Sequence, residues 1–330
     1  MQYELKSFFK DEINLHLTLR KEELSSEAYR HYKHTVMLFD EYLHSINHSE
    51  KSIDECIIEA WIKKISDGIS INTVGGHIHH IRQLLLFLIN NGYSCFVPKT
   101  IASKDTYVPY LYTDKEIEDI FKVADSFTAP HAVKNKFIGY EMPLLLRLLF
   151  CCGMRVGEAI NIRVGDIDFE RNLFILRVTK KYKQRMVPFG NGLSEIIYLY
   201  CIAMGILNNS EAYLFPENDI YVHISANSVG NYYRIIRKKA GINSLQHIKN
   251  GRGACLHCFR HTFAVRSFAQ NERRGISSRD SVPFLSTYLG HDSLYETEKY
   301  LKYSGDCFED TLTKFESFAG DLFPEVDINE

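Results

Sequence analysis

The chain has 330 residues, more than one domain usually holds, and 45% of them are hydrophobic, so two domains with buried cores are expected. No apolar run reaches membrane length: the best candidate, Met142 to Met154, is short and broken by Arg147. The acid-bearing amino terminus lacks a signal-peptide core, so a cytoplasmic protein with no membrane partner is expected. With 39 Lys and Arg against 41 Asp and Glu, the formal charge of −2 excludes a globally basic nucleic-acid binder but not a local basic groove. Eight scattered cysteines suit a reducing compartment better than a disulfide framework.

Residues 1–98 read as all helix, with little ahead of the first strong pattern to hold a further amino-terminal domain. Tyr29, Tyr32, Val36, Phe39 and Leu43 recur at helical spacing behind a cap at Ser25 or Ser26. A shorter helix from about Ile53 to Ser66 turns Ile57, Ile58, Trp61 and Ile62 inward. Val74, Ile78, Ile81, Leu85 and Leu88 then mark a third helix, with Asn72 as cap and Gly92 as stop. Its opposite side carries Thr73, His77, His79, His80 and Arg82, by pattern alone a solvated polar face. Residues 99–109 lack periodicity and read as an interdomain linker.

Thr113 and Glu116 form a capping-box pattern that opens a helix through Ile117, Ile120 and Phe121. Met142 to Cys152 is a strongly apolar helix interrupted by Gly153. Arg155 follows, flanked by glycines, before a new helix start. The pattern then alternates in three short runs, Val164 to Phe169, Leu173 to Val178 and Arg185 to Phe189, read as three short strands whose second connecting turn bears Lys180, Lys181 and Lys183. Ser225 caps a helix with Val229, Tyr232, Tyr233 and Ile236 inward and Gly241 past its end. Arg234, Arg237 and Lys238 make a basic stripe on it.

His257, Arg260 and His261 fall at i, i+3 and i+4, on one face of a helix. Leu289, Gly290 and His291 follow, and Tyr300 stands nine positions beyond His291. A guanidinium binds two phosphate oxygens, imidazoles move protons near neutral pH, and a phenol can form a covalent ester. Those parts suit transfer of a phosphodiester to tyrosine. Cys255 and Cys258 lack a second ligand pair at finger-like spacing, so no metal site is expected.

The order and spacing of these elements, with Gly153 to Glu158 upstream, resemble the tyrosine recombinases of the phage-integrase type. The resemblance implies a mainly α fold with a small antiparallel β-sheet: a helical core-type DNA-binding domain over 1–98 and a catalytic domain over 110–330. The latter would end in an exchange helix bearing Phe308, Leu312, Phe315 and Phe318. It further implies Tyr300 as nucleophile, Arg155 and Arg260 as phosphate clamps, His257 as general base and His291 as a phosphate donor. Lys180 would be the general acid, with Lys181 and Lys183 as alternatives because the usual flanking glycines are replaced by Thr179 and Lys181. No cofactor is implied. The partners would be a double-stranded recombination site, held in part by Thr73, His77, His80, Arg82, Lys181, Lys183, Arg234, Arg237 and Lys238, and further copies of the chain, four on two sites. Two rivals are a type IB topoisomerase-like enzyme and a DNA-binding regulator that has lost catalysis.

Overall fold

The computed structural model describes residues 4–101, 108–127, 135–177, 184–242 and 253–303. The chain divides into two compact units, Met1–Thr106 and Tyr107–Glu330. Lys180, Lys181, Lys183 and the expected carboxy-terminal exchange helix lie outside the described residues.

The first unit contains α1 (Lys10–Glu23), α2 (Ser26–Ser45), α3 (Glu55–Ile65) and α4 (Ile71–Asn90). Ser25 caps α2 by accepting the amide of Ala28, and Asp54 does the same for α3 through Ile57. Ser70, rather than Asn72, caps α4: its extended backbone lets the hydroxyl accept from the Thr73 amide, which leaves Asn72 inside the first turn. Val36, Phe39 and Leu43 of α2 meet Trp61 of α3 and Ile81, Leu84, Leu85 and Leu88 of α4 in one core. One difference from an all-helical reading appears: the two-residue strand β1 (Ser52–Ile53) pairs in parallel with β2 (Ser94–Cys95). Helix α1, ahead of the first strong sequence pattern, buries Ile13 and Leu17.

The second unit opens with α5 (Asp114–Asp125), whose capping box between Thr113 and Glu116 is formed in both directions. Helix α6 (Ile138–Cys151) and the short α7 (Val156–Ile160) follow. Strands β3 (Ile167–Asp168), β4 (Leu173–Leu176) and β5 (Arg185–Pro188) form an antiparallel sheet in that order. The first strand is shorter than the alternation suggests, because Val164–Asp166 closes into a 3-10 turn in which the Asp166 carboxylate accepts the Arg163 amide. Then come α8 (Asn191–Ala203), α9 (Ala226–Lys239), α10 (His257–Arg273), α11 (Ser278–Leu289), α12 (Leu294–Glu298) and a 3-10 turn, Lys299–Tyr303.

Helix α10 organises this unit. It is buried on nearly every side from Cys258 to Ala269, the mark of a helix inside a core rather than on its surface. Its polar members are tied down: Thr262 Oγ1 accepts the Tyr112 amide at 2.9 Å, and Arg266 pairs with Asp114 at 2.5 Å. Side chains on α10 are therefore held on a rigid support. Among the described residues no helix is long and apolar enough to cross a membrane.

Candidate active site

The site grows from three breaks in regular structure. At the end of α6, Gly153 adopts φ +58, a left-handed conformation that glycine tolerates, and a Cβ there would lie 2.5 Å from the Phe263 ring. The turn frees the Gly153 carbonyl and sends Arg155 onward as the residue before α7. At the end of α11, Gly290 is left-handed too (φ 66), and a Cβ would come within 3.0 Å of Arg185 Nε. The third break is the 3-10 turn that carries Tyr300. Gly153→Ala is expected to destabilise the protein by about 2–4 kcal/mol through strained backbone and overpacking. Thermal melting tests this, and a loss below about 0.5 kcal/mol would contradict the close packing.

The carboxyl end of α11 presents orphan carbonyls and the negative end of the helix dipole, and three guanidiniums gather there. Arg155 donates from Nη2 to the Gly290 carbonyl at 3.1 Å and from Nη1 to that of Leu289 at 3.4 Å. Arg260, 1% exposed, donates to the carbonyls of Leu289 (2.6 Å) and Gly153 (2.8 Å). Arg185 donates to the Tyr288 carbonyl. Glu158 is the carboxylate shared within this group, at 2.9 Å from Arg155 and 2.6 Å from Arg185. Three cations around one anion leave a positive excess in a partly dry place. Burial, then Arg155, lowers the Arg260 pKa to about 10, so it remains a cation at neutral pH.

Glu158 and Arg185 are the parts that motif reading underrates. Glu158 stands out by its position three residues after Arg155, but Arg185 carries no local signal, since its partners lie 27 and 103 positions away. Burial works against the charge on Glu158, yet Arg185, the Arg155 amide and Arg260 together hold its carboxyl below the usual range. Glu158→Gln leaves Arg185, whose side chain is 10% exposed, without its counter-ion. Breaking such a pair costs about 3 kcal/mol or more, a fall of roughly 6–12 °C in Tm for a domain of this size. A calorimetric Tm within about 1 °C of wild type would contradict that account.

Three imidazoles and the phenol complete the cluster. His291 shares a 2.6 Å hydrogen bond through Nδ1 with Thr297 Oγ1, which leaves Nε2 for another partner. Its ring stacks on Tyr300 with centroids 6.2 Å apart. Tyr300 itself is 6% exposed, packed with Phe263, Leu285 and Leu289. Among the described residues its hydroxyl meets Nδ1 of His261 at 2.9 Å, not the expected base His257. The reason is helical geometry: His261 lies one turn deeper along α10 and is buried, whereas His257 is the first residue of the helix and keeps an open face. The two rings touch edge to face at 4.5 Å.

Burial comes first among the causes that lower all three histidines, for His257 through the packed side of a ring whose other face is open, and neighbouring cations add to it: His257 falls to about 4, His261 to about 3 and His291 to about 3. Burial raises the Tyr300 phenol, while Arg260 and Arg155 pull it down. The rings are thus neutral and the phenol protonated at pH 7. Each ring binds fewer protons folded than at its ordinary value of 6.5, so the stability it lends is complete above that pH and is lost as pH falls toward 4 and 3. Glu158, held low, adds loss on acidification; Glu141, which burial raises to about 8, acts oppositely. Tm is expected to drop between pH 6.5 and 4, and a flat profile there would contradict the neutral cluster.

The remaining expected contacts are placed as follows. Thr73 is exposed and bonds Ser70 by its hydroxyl (2.8 Å). His77 and His80 turn toward α2, both sharing hydrogen bonds with Thr35 Oγ1 (2.8 and 3.0 Å), and Arg82 donates to the Pro98 carbonyl. Arg234 and Lys238 are exposed on α9, whereas Arg237 donates to the Ala254 carbonyl. Cys255 and Cys258 lie with their sulfurs 3.3 Å apart, and no group of three metal-ligating side chains occurs among the described residues.

Comparison with known proteins agrees with this arrangement. The profile of the phage integrase family matches residues 111–305, a span that holds Arg155, Arg260, His291 and Tyr300. A putative integrase/recombinase, y4rB of Sinorhizobium fredii, is 26% identical over 215 residues, covering 63% of this chain and 66% of that protein. The tyrosine recombinase XerC of Thermodesulfovibrio yellowstonii is 24% identical over 289 residues, 86% of this chain and 88% of its own. Among solved structures, the XerH recombinase on its difH substrate, a post-cleavage complex, superposes with a TM-score of 0.63 at 18% identity over 89% of this chain and 79% of that one. A lambda integrase tetramer bound to a Holliday junction gives 0.62 at 16% over 87% and 78%. The mainly helical chain with its small sheets has the tyrosine-recombinase fold, and it belongs to the phage integrase family of tyrosine-type site-specific recombinases.

Proposed function

We propose that this chain cuts and rejoins DNA at a specific site through a 3′-phosphotyrosyl intermediate formed on Tyr300. The observation that carries the proposal is the convergence of Arg155, Arg185 and Arg260 on the end of α11, with Tyr300 and three neutral imidazoles beside them. A phosphodiester brings the anion that this excess of positive charge lacks. The clamping arginines would exchange carbonyl partners for its non-bridging oxygens, whose charge grows in the transition state.

In the reaction, Tyr300 Oη bonds to phosphorus as the bond to the 5′ oxygen breaks. The phenolic proton passes to His257, and the leaving oxygen takes a proton from a hairpin lysine, Lys180 or its neighbours Lys181 and Lys183. His291 donates from Nε2 to the phosphate. Attack by the 5′ hydroxyl of a partner strand reverses each step and returns the proton to Tyr300. Neither step consumes a nucleotide, because the phosphotyrosyl ester conserves the bond.

The first unit is proposed to grip the duplex through Thr73, Arg82, and the Nε2 atoms of His77 and His80, whose Nδ1 atoms bond Thr35 of α2. Arg234 and Lys238 offer phosphate contacts from α9. Four copies on two sites is the proposed working assembly, after the tetrameric form of lambda integrase. Ile196, Tyr198, Leu199 and Ile202 make an exposed apolar stripe on α8 of the kind that assembly covers. The function is tested with a nicked suicide duplex made from the DNA that flanks the gene. A denaturation-resistant protein–DNA adduct, joined through the 3′ phosphate, is expected. Site binding without any adduct would favour the DNA-binding regulator instead.

A further inference from the structure

The mechanism proposed above leaves one buried polar group at the reacting atom without a role. His261 is 7% exposed, sits on the immobile helix α10, and is the hydrogen-bond partner of the Tyr300 hydroxyl at 2.9 Å. Tyr300 by contrast rides on a five-residue 3-10 turn, a weaker support than an α-helix. In-line attack requires the phenolic oxygen at about 3–3.5 Å from phosphorus and in the right direction, and an error of about 1 Å can cost two orders of magnitude in rate. Stacking against His291 fixes the plane of the phenol ring but not the swing of the turn that carries it.

We propose that His261 is the positioning residue of the nucleophile: through Nδ1 it ties the Tyr300 hydroxyl to the rigid α10 and so transfers the order of the core to the attacking oxygen. The proposal rests on the reading that Tyr300 is the nucleophile. His257 keeps the role of base, and its edge-to-face contact with His261 at 4.5 Å places base and tether on successive turns of one helix. The 5.5 Å centroid separation and 52° tilt of the His261 and Tyr300 rings fit a contact made by the hydrogen bond rather than by stacking. Burial keeps the His261 ring neutral, so one of its nitrogens can always accept.

The test compares His261→Asn, His261→Gln and His261→Leu in the full chain, with Tyr300→Phe alongside, on a nicked suicide duplex. DNA affinity and the single-turnover rate of adduct formation are both read. Asn places a polar atom near the position of Nδ1, whereas Gln places it near that of Nε2. Asn is therefore expected within about tenfold of wild type, and Gln and Leu about 30–100-fold below it, all with DNA affinity within about twofold.

A merely structural role predicts another order. Leu suits the surrounding cluster of Phe263, Ala264, Leu285 and Leu289 best and would be the least impaired. Leu at the wild-type rate, or Asn and Gln equally slow, overturns the proposal; the Asn and Gln pair carries the test even if Leu fails to fold. An adduct still formed by Tyr300→Phe would sink the nucleophile assignment, and this inference with it. Loss of that adduct with an unimpaired His261→Gln would sink this inference alone.

Discussion

Tyr300→Phe is expected to bind its DNA site as well as wild type and to form no covalent adduct. The exchange removes one oxygen from a ring that is otherwise packed among Phe263, Leu285 and Leu289, so the turn and the core keep their shape. What it removes is the hydrogen bond between the phenol and His261, a cost of about 1–2 kcal/mol that a domain of this size tolerates. The chemical effect is far larger, because no other atom stands where the phenolic oxygen does. Tyr295 is 60% exposed, and Tyr303 lies at the end of the turn. Single-turnover gels should show adduct falling below detection, at least about 10⁴-fold. A residual rate within about 100-fold would mean that a different group attacks.

Arg260→Gln is expected to keep site affinity within about tenfold and to lower the rate of adduct formation by about 10²–10³. Removing one preorganised donor from a desolvated oxyanion site has effects of this size, and Arg260 is the most deeply buried of the three guanidiniums. Lysine would not restore the rate, since a point charge cannot present a planar fork to two phosphate oxygens in place of the Leu289 and Gly153 carbonyls. Because Gln leaves those carbonyls short of donors, Tm should be recorded with the rate. A rate within about fivefold of wild type, in a protein that melts normally, would remove Arg260 from the phosphate site.

The geometry of the site was legible wherever it follows helical spacing or a local turn. His257, Arg260 and His261 share a face because i, i+3 and i+4 must, and Thr113 with Glu116 caps α5 through contacts three residues apart. Gly153 and Gly290 announce themselves as glycines at the ends of apolar helices, and both take left-handed backbone. What depends on distant pairing was not legible. Arg185 is one more basic residue in a strand until Glu158 and the Tyr288 carbonyl meet it. His77 and His80 look like a polar face because nothing in α4 reveals that α2 brings Thr35 against them. Helix α1 was hidden for a related reason: its buried side includes His16, whose Nε2 shares a 2.6 Å bond with Tyr32 OH, so a polar residue interrupts the apolar stripe.

One phenol, on the turn after α12, is proposed to become esterified to the DNA 3′ phosphate. Peptide mapping of the trapped wild-type adduct identifies the esterified residue. The complex is digested with nuclease and protease, and the peptide that carries the residual nucleotide is sequenced by mass spectrometry. A phosphonucleotide is expected on Tyr300, within the segment from His291 to Tyr303. The same mass on Tyr295 or Tyr303, or on a serine or lysine elsewhere, would contradict it.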